Sequence, residues 1–108
     1  MLKEVVKVFI SQPMRDKTDE EILAVRKRCY EKVSNLYDNS VEVIILDTFF
    51  SGMPSPEGVN RSLWCLGKSL NYLAEANVAY FAKGWNEYRG CKIEHTCALE
   101  YEIPIIEE

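Results

Sequence analysis

The sequence predicts a three-layer α/β fold: a parallel sheet of about four strands with helices on both faces. Three observations lead there. Short, β-branched apolar runs alternate along the chain with stretches whose apolar residues recur at helical spacing. Those runs lack strict polar alternation, as expected of strands covered on both sides. The chain has 108 residues, which at roughly 100–200 residues per domain suits a single domain over residues 1–108.

Val5 to Ile10, within Glu4 to Ser11, reads as the first strand. Thr18-Asp-Glu-Glu21 has capping-box form, with a hydroxyl and a carboxylate each able to satisfy a free N–H at a helix start. Behind it Ile22, Val25, Cys29, Val33 and Leu36 mark a helix to about Tyr37. Val41 to Asp47 is a second strand, apolar on both faces after Glu42. Leu63, Leu66, Leu70 and Leu73 define a second helix from about Asn60 to Glu75. Val78 to Ala82 is a third, buried strand; a third helix runs from about Gly90 to Tyr101; Ile103 to Ile106 forms a short fourth strand. Alternating strands and helices joined by right-handed crossovers leave few topologies, and the flavodoxin-like (Rossmann-like) order 2-1-3-4 is the expected one.

Composition narrows the function. Thirteen basic against seventeen acidic residues leave a net charge of −4, which argues against a protein that coats polymeric nucleic acid or anionic membrane. The apolar runs fall far short of the roughly 20 residues that span a bilayer, and the N-terminus has no signal-peptide core. The expectation is a cytoplasmic protein. Cys29, Cys65, Cys91 and Cys97 form no C-x-x-C, and with one histidine no zinc spacing can be assembled, so the thiols read as small buried hydrophobes.

A sheet of this order binds ligands beyond the carboxyl ends of its strands, between strands one and three. Two segments lie just past those ends, Ser11-Gln12-Pro13-Met14 and Lys83-Gly84-Trp85, and are expected to face each other across one crevice. Ser11 and Gln12 could bond a sugar or phosphate, or could simply make the turn. The eight-residue segment Lys83 to Gly90 carries two aromatics, two cations and two glycines. Aromatic faces stack on bases and cations attract phosphate, so this segment reads as a binding loop, or as a surface loop whose Trp85 plugs the core. Glu94 is expected in the first turn of the third helix, ionised at neutral pH by the helix dipole. It suits attack on an anomeric carbon, although a glutamate there is also a common capping residue. His95 points about 100° away around the helix and reads as packed or solvated. The long stretch Thr48 to Val59, with Phe49 and Phe50, reads as a lid, an interface, or a segment folded back on the core.

Three segments together carry a likeness. They are Val8 to Met14 (Val-Phe-Ile-Ser-Gln-Pro-Met), Ala76 to Trp85, and Arg89-Gly-Cys-Lys-Ile-Glu-His95 with Ala98. Over nearly the whole chain they resemble a widespread, uncharacterised bacterial and phage family grouped with the nucleoside 2-deoxyribosyltransferase-like fold. The resemblance implies a flavodoxin-like sheet and a helix-borne glutamate nucleophile toward the sugar C1′, which falls on Glu94. It also implies homo-oligomers, commonly dimers, with a neighbouring subunit closing the site. Active relatives carry acidic residues where this chain has Ser69 and Asn77; Asp47 is the available substitute.

The resulting expectation is a nucleoside or nucleotide N-glycosidase or 2-deoxyribosyltransferase acting on a small molecule. Glu94 would be the nucleophile and Ser11 and Gln12 would hold sugar or phosphate. Lys83, Gly84, Trp85, Arg89 and Gly90 would form the rest of the binding site, with Trp85 shaping the base pocket and Arg89 and Lys83 attracting a phosphate. This chemistry requires no metal and no redox cofactor. Two alternatives stand beside it: a non-catalytic nucleotide-binding sensor, and an interaction protein that uses the Phe49-Phe50 loop.

Overall fold

The computed structural model describes residues 4–108. The elements are β1 (Glu4–Ser11), α1 (Asp19–Ser34), β2 (Val41–Ile45), α2 (Arg61–Leu73), β3 (Val78–Phe81), α3 (Arg89–Glu100) and β4 (Ile105–Glu107). The four strands form one parallel sheet in the order β2-β1-β3-β4, as the alternating pattern predicts. Helix α1 packs on one face, where Cys29 and Val33 meet Val8, Ile10, Val78 and Tyr80. Helices α2 and α3 cover the other, where Leu73 and Ala98 meet Phe9, Ala79 and Phe81. Strands β1 and β3 lie between neighbours, which is why Val8 to Ser11 and Val78 to Phe81 are buried throughout.

The helix starts follow from local chemistry. Thr18 accepts from the N–H of Glu21, and the Glu21 carboxylate accepts from the N–H of Thr18, completing the expected capping box. Asn60 caps α2 by accepting from the N–H of Leu63. Helix α1 ends at Ser34 rather than Tyr37, because the N–H groups of Leu36 and Tyr37 bond back to Val33 and Ser34 in a tightened last turn.

Strand β2 departs from expectation. It is an edge strand that alternates partly buried and exposed residues, and Ile44 is left exposed on the face away from α1. It also stops at Ile45, although the N–H of Leu46 still bonds Val8, because the Leu46 carbonyl is taken by the Arg26 guanidinium at 2.9 Å. The chain is thereby turned away from the sheet into the long Thr48–Val59 connection.

Candidate functional site

A cleft of about 790 Å3 opens at the carboxyl end of β1. Its walls come from the segment after β1, the Thr48–Ser51 stretch, the start of α2 and the first turns of α3. That volume lies in the range of small-molecule sites.

Glu94 sits on its floor. Its side chain is buried, and its carboxylate accepts a 2.7 Å hydrogen bond from the Ser11 hydroxyl at the end of β1. The sequence expectation for this residue needs correction in two respects. Helix α3 begins at Arg89, so Glu94 lies in the second turn, past the free N–H groups, and no acidic residue occupies the first turn. Its carboxyl is accordingly not held ionised by the helix dipole. Burial pushes its pKa up to about 7, against the opposing pull of the Ser11 and Ser69 hydroxyls. Ser69 comes from α2 and is itself buried, so β1, α2 and α3 all converge on this carboxyl. Cys91, one helical turn earlier, also lines the cleft, and burial raises its thiol to about 11.

Ser11, Gln12, Arg89, Gly90 and Glu94 all line the cleft. Gln12 is buried, its amide donating to the Ile22 carbonyl at 3.0 Å while its oxygen accepts from Arg26 at 3.2 Å. Since the guanidinium only donates and the carbonyl only accepts, the amide can face only one way. Arg26 also donates to the Thr48 hydroxyl, so one guanidinium ties together α1, Gln12 and the connection after β2.

The other half of the expected site is elsewhere. Pro13 lies close to Gly84: a Cβ added there would stand 3.6 Å from the proline ring. The two segments come together at Pro13 and Gly84, away from the larger cleft. Lys83 and Gly84 line a second, smaller depression with Pro13, Val25 and Arg28, which shares Lys17, Ile22 and Tyr88 with the larger cleft. Gly84 has φ 89°, and a 3₁₀ turn over Trp85–Glu87 follows. The left-handed backbone at Gly84 and the turn after it leave the indole on His95, stacked at 4.1 Å with an interplanar angle of 8°, and on Phe81 at 5.5 Å. Trp85 lines neither depression and packs with the α2/α3 core, which is the plug among the two readings of this loop. His95 is packed, and it also bonds Glu107 at 2.9 Å.

Asn77 and Asp47 both stay outside. Asn77 accepts from the N–H of Lys7 at the amino end of β3, the opposite end of the sheet from the cleft. Asp47 is exposed, accepts from the N–H of Phe49, and does not line the cleft. Phe49 and Phe50 do line it, and Phe50 folds back to stack on Tyr72 of α2 at 6.2 Å.

Sequence reasoning missed several lining groups. Arg15 and Lys17 stand exposed at the mouth, with the Arg15 guanidinium 5.8 Å from the centre of the Tyr88 ring. Their signal was present, as cations in the loop after a strand at the switch point. Thr48 and Asn60 left none, because their place depends on how the long connection folds. Among the described residues no group of three or more His, Cys, Asp or Glu could hold a metal ion, and no helix is long and apolar enough to cross a membrane. Comparisons with known protein families, with curated proteins and with solved structures found no match.

Proposed function

We propose that the chain is a nucleoside 2-deoxyribosyltransferase-like protein that breaks the C1′–N bond of a nucleoside or nucleotide, with Glu94 as the nucleophile. One observation carries this reading. A buried carboxylate lies on the floor of a nucleotide-sized cleft at the carboxyl end of β1, hydrogen-bonded by Ser11 at 2.7 Å. Parallel sheets of this order bind ligands at that end. A carboxylate shielded from water and steered by a hydroxyl suits covalent capture of an anomeric carbon. Arg15, Lys17 and Arg89 at the mouth suit a 5′-phosphate. In this reading Lys83, Gly84 and Trp85 shape the fold around the site rather than touch the ligand. A second copy of the chain would close the mouth, where Leu63 and Ile93 line the cleft and are exposed.

The test is release of free base from a panel of nucleosides and 5′-monophosphates, ribo and deoxy, by the wild type and by Glu94→Gln. Release by the wild type alone is the expected result. A folded wild type that releases no base from any of them would overturn the reading.

The alternative, a sensor that binds without cleaving, is favoured by the company Glu94 keeps. Asp19 is the other carboxylate among the described cleft residues; it is exposed and already accepts from the Ser51 hydroxyl. A sensor would raise its melting temperature with ligand and release nothing.

A further inference from the structure

The cleft has two poles of opposite charge. At the floor, the partners of Glu94 are hydroxyls, and among the described residues it makes no ion pair. A carboxylate taken out of water without a cation is poorly compensated, and a positive group placed beside it restores the balance. At the mouth, Arg15, Lys17 and Arg89 are exposed, and none of them is ion-paired among the described residues. The cleft thus lacks a cation beside its buried carboxyl, and offers three of them at exposed positions on its lining.

We propose that its ligand is a nucleotide whose base carries a fixed positive charge, a pyridinium or an N-alkylated purinium. The charged ring–sugar junction would lie by Glu94 and the phosphate among Arg15, Lys17 and Arg89. This deepens the reading above and rests on it for orientation: the positive nitrogen is bonded to C1′, the atom that Glu94 would approach.

The chemistry is consistent with that ligand. The carboxylate oxygen of Glu94 forms an ester bond to C1′ as the C1′–N bond breaks. The bonding pair goes to nitrogen, which neutralises the ring, so the base departs without needing a proton. Water then attacks C1′ and supplies its new hydroxyl, the ester oxygen leaves as the Glu94 carboxylate, and the second water proton passes to solvent. A neutral base would instead require an acid at the ring, a group that typically supplies about 10²–10⁴-fold in rate.

The experiment compares nicotinamide mononucleotide with its reduced dihydropyridine form, which has nearly the same shape and a neutral ring, by isothermal titration calorimetry at about pH 8, where Glu94 is ionised. The wild type should bind the oxidised form at least about tenfold more tightly, since a charge facing an uncompensated carboxylate is worth that much or more. Glu94→Gln should bring the ratio close to one, and Arg89→Gln should weaken both forms alike. Equal affinities in the wild type, or a preference that survives Glu94→Gln, would overturn the inference. So would silence toward both forms in a protein that binds or cleaves uncharged nucleotides, a result that leaves the glycosyl reading standing. Charge-selective binding without release of nicotinamide supports the inference and removes the glycosyl reading in favour of the sensor.

Discussion

Glu94 links the chemistry of the cleft to the stability of the fold. Its pKa lies near 7 in the folded chain because burial disfavours the charge, against an ordinary 4.5. The neutral carboxyl therefore favours the folded state. That contribution is complete below about pH 4.5 and is lost as pH rises through about 7, amounting to about 3 kcal/mol over the window. Glu94→Gln removes the dependence. Its melting temperature should match the wild type at about pH 5 and exceed it at about pH 8, checked by differential scanning calorimetry. Under the proposed glycosyl reading, base release should run the other way, rising with pH through about 7 as Glu94 ionises. Trp85 makes a contrasting case. It stacks on His95 and Phe81 away from the cleft, so Trp85→Ala should lower stability by about 2–3 kcal/mol in urea denaturation. Ligand affinity should change little, and a large loss of affinity in a folded Trp85→Ala protein would return this ring to the site.

At the level of elements, β4 is only three residues long. It is held by its pairing with β3 and by Ile105 and Ile106 on the two cores, and a side chain just past it adds a further tie. Beyond it, the N–H of Glu108 bonds Phe81, and the Glu108 carboxylate gathers Arg28 and Lys32 of α1, the Tyr80 hydroxyl and the N–H of Lys83. Burial alone would push this carboxyl up, but those donors outweigh it and hold it well below the usual carboxylate range. Because the folded pKa is depressed, the contribution is present at neutral pH and is lost as pH falls below the ordinary carboxylate range. Glu108→Gln weakens four charge-assisted contacts and should lower stability at pH 7 by about 1–3 kcal/mol. The gap from wild type should narrow in acid, and unfolding in urea at two pH values measures it. Arg26 does comparable work for the cleft, since it binds Gln12, Thr48 and the Leu46 carbonyl at once. Burial keeps its pKa below the usual guanidinium range, with Asp47 opposing. No local pattern marks it, because its partners lie 14 to 22 residues away in sequence.

Taken whole, the molecule presents its cleft at one end of the sheet, with exposed apolar side chains beside the cations of its mouth. Leu63 is 64% exposed and Ile93 39%, and both line that mouth. In the proposed oligomer they meet a second copy. Sedimentation should then show Leu63→Asp as a monomer beside a larger wild type, with helical circular dichroism unchanged. A wild type that sediments as a monomer at every concentration would remove the second copy from the proposal. The site itself was half legible. Ser11, Gln12, Arg89, Gly90 and Glu94 come together because the strand order puts the end of β1 beside the start of α3. Lys83 and Gly84 do not join them and line the adjoining smaller depression with Pro13.

The sequence by itself determined the parallel sheet, its order and the end at which the cleft lies. Those properties follow from which residues must leave water and from the handedness of the crossovers, and both are written in local pattern. Tertiary structure alone decided the rest: the raised pKa of Glu94, the lock on the Gln12 amide, the retreat of Trp85 into the core and the clasp at Glu108. Each depends on a side chain meeting partners distant along the chain, as Ser11 meets Glu94 across 83 positions. A pKa or a rotamer is set by such neighbours and by the exclusion of water around them, and those conditions arise only once the elements have packed.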